Sequence, residues 1–203
     1  IITNYWGDHL TYMIMRSLSG SAIYRKMSCL ADKLGQKIAP DFLTMTDDPF
    51  VVRGLGSRRF DDESMVLKKR PVIENGVLKH FFFSNYWAKK KKVDPTTSWF
   101  SNLVFAPGKR NEAQMVAELD RGILINNFIG GNYNPVSGDF SVGIRGHYIE
   151  KGRIVRPITE MNLAGNLLLL LPKLQEVGND PYPFMSIYSP TTRYAPLTIA
   201  GVD

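Results

Sequence analysis

The chain is poor in the residues from which most enzyme sites are built. It holds one cysteine, Cys29, and three histidines, His9, His80 and His147. A single cysteine excludes an internal disulfide, and such sparse thiol usage fits a cytoplasmic setting. No two histidines stand at helical ligand spacing, and neither His-Glu-x-x-His nor Cys-x-x-Cys occurs, so no zinc motif lies within the chain. Gly-x-Ser-x-Gly is absent, and so is the Gly-Lys-Ser/Thr of a phosphate loop. Long hydrophobic runs are missing too. The longest, Leu167 to Leu171, is far below the roughly 20 residues of a membrane-spanning helix. The opening "IITNYWGDHLTYMIM" lacks the basic region and cleavage site of a signal peptide. It begins abruptly in folded-looking sequence, as a piece of a longer protein does.

What is present is a core and a surplus of positive charge. Apolar residues make up 44% of 203, enough to exclude a disordered class, and the formal net charge is +6. Basicity leaves room for an acidic partner such as nucleic acid. The densest cationic run is "AKKKKV", 88–93, beside Trp87 and Trp99. Cations interleaved with aromatics suit a nucleic-acid face, and a solvated basic segment reads the same way.

Leu10, Met13, Ile14 and Leu18, then Ile23, Met27, Leu30 and Leu34, predict helix over 7–34, with Gly20 marking a kink or break. Residues 40–70 read as loop, and 89–102 as polar and irregular. Glu74-Asn75-Gly76 predicts a tight hairpin between two apolar runs, echoed by Glu150-Lys151-Gly152. Residues 111–122 predict an amphipathic helix capped by Asn111 and stopped at Gly122. "ILINNFI" and "DFSVGIRGHYI" predict strands. "NLAGNLLLLLPKLQEVG" is a helix candidate interrupted by Pro172, and the tail predicts strands separated by prolines. The sum is an α+β fold: a mainly antiparallel, barrel-like β domain with an N-terminal helical segment and a few short helices.

Candidate chemistry is thin. Cys29 sits in "KMSCLADKL", an apolar helical context that predicts a buried structural thiol. Asp47-Asp48 and Asp61-Asp62-Glu63 are acidic clusters that could hold a hard cation, but their turn-rich flanks favour solvated loop tips. The glycine-rich run 130–154 matches no dinucleotide fingerprint, and tight turns explain it better. Taken alone, the residues describe an α+β domain without a catalytic constellation of its own.

Several longer stretches are recognisable together: "SGSAIYRKMSCLADKLGQKIAPDFLTMTDDP", "FDDE", "VIENGVLKHFFFSNYWAKK", "NLVFAPGK", "GILINNFIGGNYNPVSGDFSVGIRGHYIEKGRIVRPITEMNLAGN", "VGND" and "LTIAG". In this order the chain resembles the C-terminal domain of the TldD/PmbA family, described as modulators of DNA gyrase and as peptide-maturation metalloproteases. The resemblance covers 1–203 and leaves the family's N-terminal domain unrepresented. It implies a dimer, with a TldD-type subunit or with a second copy, acting on unfolded or leader peptides. It implies zinc in the TldD-type subunit, held by a His-Glu-x-x-x-His helix and a later cysteine. The matching helix here, within Thr11 to Ser19, reads "TYMIMRSLS", and the cysteine region falls near Ser189. The wording is closer to the PmbA (TldE) type, which implies a non-catalytic subunit with no cofactor of its own. The alternatives are an active zinc peptidase with ligands outside this chain, or a DNA- or gyrase-associated binder. The motif residues Asn134, Pro135, Gly138, Asp139, Glu150, Gly152, Gly165, Asn166, Gly178, Asn179 and Asp180 carry an implied structural or groove-lining role. The chain departs from the family at Ser64 and in "KKKVDPTTSW".

Overall fold

A computed structural model describes residues 1–201. Two open, mainly antiparallel sheets flank one largely buried helix. That helix, α1 (Gly7–Ser17), carries apolar residues on more than one face. Ile14 and Met15 pack into one hydrophobic cluster, while Leu10 and Met13 pack into another. A helix apolar around most of its circumference is stable only when covered on both sides.

The first cluster lies against a five-stranded sheet of order β3-β2-β1-β4-β9. Its strands are short: β1 Met45–Asp47, β2 Arg70–Glu74, β3 Val77–Leu78, β4 Leu103–Phe105 and β9 Ile187–Tyr188. The second cluster lies against a meander of long strands, β5 Arg121–Tyr133, β6 Asp139–Glu150 and β7 Arg153–Asn166, extended by β11 Ile199–Ala200. A separate pair joins β8 (Leu174–Val177) to β10 (Thr192–Tyr194). Ile2 stitches this pair to the meander, bridging to Thr192 on one side and Ile125 on the other.

Both expected hairpins form. Asn75 and Gly76 take φ of 49° and 75°, and Lys151 and Gly152 take 50° and 73°. These are the paired positive values that a two-residue hairpin turn requires. Asn111 caps α4 (Glu112–Ala117) in a reciprocal capping box with Gln114.

Other expectations are corrected. The sheets stay open, with β3, β9, β5 and β11 as their outermost strands, so no barrel closes. The first helical stretch ends at Ser17, restarts as α2 (Gly20–Tyr24) and is over by Lys26, at φ 57°. Beyond that point tertiary bonds replace helical ones: the Cys29 N–H donates to Pro135 O at 2.7 Å and Gly35 N–H to Leu78 O at 2.7 Å. Met27 and Leu34 are accordingly exposed. The loop-like stretch 40–70 contains β1, and the irregular stretch 89–102 opens with the end of α3 (Asn85–Lys91). α4 stops short of Gly122, which lies in β5. "NLAGN" is strand, because β7 continues its pairing with β6 as far as Asn166. Only α5 (Leu167–Leu170) and a single 3-10 turn holding Pro172 follow before β8. His80 lies just outside β3.

Candidate functional site

The centre of interest is α1, whose C-terminal half from Thr11 onward holds the stretch that the resemblance matches to the family's zinc helix. Ser189 follows β9 and lies directly against Gly7, so closely that any Cβ there would overlap its Oγ. Ser189 is 1% exposed. Beside it lies a cavity of about 30 Å³, lined by Gly7, Leu10, Thr11 and Ile14 of α1, by Leu and Met side chains of both clusters, and by Ser189 and Thr192. That volume holds about one water. The fold thus brings the helix and the Ser189 region together, as the resemblance implies. The donor set does not suit zinc, which takes thiolate, imidazole or carboxylate. The walls offer hydroxyls, one thioether and hydrocarbon. Among the described residues no group of three or more His, Cys, Asp or Glu could hold a metal ion.

Asp8 and His9 lie on another face of α1. They line an open groove of about 430 Å³ with Tyr12, Arg16 and the Gly130–Tyr133 end of β5. The His9 ring stacks on Phe128 at 4.8 Å. Burial lowers the His9 pKa and raises that of Asp8, and each partly offsets the other's shift. Cys29 is half-buried in a turn, not in a helix. Its Sγ is 3.9 Å from the Tyr133 hydroxyl, which also bonds to Ser17. Burial pushes both the thiol and the phenol upward, so neither is a ready nucleophile at neutral pH.

The motif residues do not converge on this cavity. One group knots the β5–β6 turn. Gly138 N–H donates to Asn134 O and Asn134 N–H to Asp139 O, both at 2.8 Å, while Pro135 O accepts from Cys29. Asn166 Nδ2 donates to Ser137 O and to Asp139 Oδ1, both at 2.8 Å, and Asn166 Oδ1 caps α5. The Ser137 hydroxyl and the Asn166 amide hold Asp139 below the usual carboxylate range. Gly165 lies against the Phe140 ring. A second group is the hairpin tip after Glu150, at the far end of β6. Gly152 N–H donates to Leu119 O at 2.9 Å, and a Cβ there would strike Ala117 O. A third group ties distant loops together. Gly178 N–H donates to Thr191 O at 2.7 Å, and Asn179 bonds through its N–H and Nδ2 to Arg110 O and Lys109 O. Asp180 accepts from Glu112 N–H, Thr191 N–H and Thr191 Oγ1 at 2.9–3.0 Å.

The acidic clusters are also corrected. Asp47 is 1% exposed and accepts from both the N–H and the hydroxyl of Ser101. Burial alone would raise Asp61, but N–H donors from Met65, Ser98 and Glu63 outweigh it and hold the carboxylate low. These side chains organise loops from inside, where their partners lie far along the chain. Neither is a solvated tip.

Fold and site together define an α+β domain whose central helix and C-terminal loop meet over a small, ligand-poor cavity. A family model described as the PmbA/TldA metallopeptidase C-terminal domain matches residues 1–201. The chain belongs to this PmbA/TldD family. It is 30% identical over 190 residues to the metalloprotease PmbA of Escherichia coli O157:H7, a match that covers 93% of this chain and 42% of that one. A Bacteroides thetaiotaomicron structure described as a candidate modulator of DNA gyrase superposes with a TM-score of 0.96 at 39% identity, over 99% of this chain and 46% of that chain. TldE from Thermococcus kodakarensis gives 0.83 at 31% identity, over 92% of this chain and 46% of its own. The chain therefore spans less than half the length of these relatives. Among the described residues no helix is long and apolar enough to cross a membrane.

Proposed function

We propose that this chain is the PmbA-like, zinc-free half of a peptidase assembly, paired with a TldD-type subunit that carries the metal. The observation that carries the reading is the chemistry around Ser189. Helix and loop meet there, yet the lining supplies hydroxyls and hydrocarbon instead of zinc donors. The resemblance to TldE and PmbA supports the same reading. In this role the domain contributes shape: the Asp139 turn, the Glu150 hairpin and the Asp180 knot hold surfaces in place without taking part in bond cleavage. The substrates are unfolded or leader peptides, and the setting is cytoplasmic.

Metal analysis of the purified full chain tests this. The expected result is zinc well below one equivalent, with peptidase activity appearing only when a TldD-type partner is added. One tightly held zinc per chain, with peptidase activity of the chain alone abolished by chelation, would overturn the proposal in favour of an active metallopeptidase.

A further inference from the structure

α3 and the turn after α2 bring three aromatic rings and a dense set of cations to one surface. The Trp87 ring centre lies 5.6 Å from that of Tyr24 and 4.8 Å from that of Tyr86. Tyr24 and Tyr86 are 41% and 57% exposed. The Arg25 guanidinium sits 5.1 Å over Trp87, and the Lys90 ammonium 5.8 Å over Tyr86. Lys26, Lys89, Lys91 and Lys92 complete the set, all exposed. Among the described residues none of these cations takes part in an ion pair. Among the described residues the one acidic side chain bonded to α3, Glu63, is committed to the Asn85 N–H at 2.6 Å. Trp99, by contrast, packs with Tyr12, Phe82 and Phe100 and is not part of the platform.

Lysines in the last turn of α3 complement its carbonyl end, which accounts for their local tolerance. It does not account for exposed rings meeting from two distant segments, nor for Arg25 and Lys26. We infer that this surface binds single-stranded nucleic acid, with the lysines neutralising phosphates and the Tyr24–Trp87–Tyr86 platform stacking bases. A groove of cations alone would serve any polyanion, whereas exposed rings among the cations add stacking, which favours unpaired bases. A duplex hides its base faces, and an acidic polypeptide has none to offer. Lys90 and Arg25 hold the rings in place in the free protein and are positioned to turn toward phosphate when a base replaces them.

The test is fluorescence anisotropy of the full chain with a labelled oligothymidylate across a salt series. With four phosphates neutralised, log K should fall against log salt with a slope of about −3. Tyr86→Ala should weaken binding about tenfold with the slope unchanged, since stacking is lost and charge is kept. The double substitution Lys89→Gln, Lys90→Gln should flatten the slope by about 1.4. Lys33→Gln with Lys37→Gln, whose side chains bond Gln36 and Asp41 and none of the three rings, should leave both quantities alone. Absence of binding at low salt overturns the inference. So does equal or tighter binding of a duplex, or binding indifferent to Tyr86→Ala and competed equally well by polyglutamate, which would mark a plain polyanion face.

Discussion

The two sheets that enclose α1 hold their shape by different means. In the meander, β5, β6 and β7 run for 13, 12 and 14 residues, and their ladders extend nearly end to end. Register is set by strand length and by turns at each end. In the five-stranded sheet no strand exceeds five residues. There side chains supply bonds that short ladders cannot: Asp47 to Ser101, Asn102 to Asp48 O and Ser57, and Asp61 to Ser98. A long meander tolerates loss of any one bond, whereas a short-stranded sheet depends on a few buried polar groups. The cavity lined by Gly7 and Ser189 lies where the two regimes meet, on α1.

The contrast can be broken or sharpened by measurement. The largest effect is expected for Asp47→Ala, which strands the N–H and hydroxyl of Ser101 in a buried site; chemical denaturation should show a loss of about 3 kcal/mol. Asn162→Ala, which removes one side-chain bond to Ser141 in the meander, should cost about 1 kcal/mol or less. Equal losses for the two would end the comparison. Gly152→Ala comes next, at about 2 kcal/mol, because the turn needs φ of 73° and Ala117 O blocks the Cβ. That loss should fall on the meander's hairpin alone, and amide exchange near β6 and β7 should report it.

A graded effect, small near neutral pH, concerns acid. His80, beside the short-stranded sheet, is held to a pKa of about 4 by burial and by the nearby Arg70 charge. Its unfolded value is about 6.5, so the unfolded chain takes up the extra proton first. The sign follows: His80's contribution is whole above about pH 6.5 and is lost as pH falls toward 4, by up to about 1.4 kcal/mol per unit. His80→Gln should flatten that slope in unfolding curves recorded between pH 4.5 and 7. An unchanged slope would place the acid sensitivity elsewhere.

Much of the fold was legible because turn chemistry and capping are local. Asn75-Gly76, Lys151-Gly152 and the Asn111 cap each act within a few residues, and all three form. What misled was periodicity. Ile23, Met27, Leu30 and Leu34 carry helical spacing, yet backbone bonds to Pro135 and Leu78 outcompete the helix after Tyr24. "NLAGN" read as helix because Ala164 and Gly165 hide the strand character of β7, whereas the leucines from Leu167 to Leu170 are helical as expected. Asp47 and Asp61 looked solvated because nothing within ten residues reveals Ser101 or Ser98 as their partners.

The sequence by itself determined the turns, the caps, the α+β class and the shortage of metal donors, since each depends on residue type and near neighbours. Only the tertiary structure decided that Gly7 meets Ser189 over a cavity, that Asp180 joins the loops at 112 and 191, and that Tyr24 reaches Trp87. Those meetings join residues far apart in the chain. They follow from how two sheets close around one helix, which no local preference encodes.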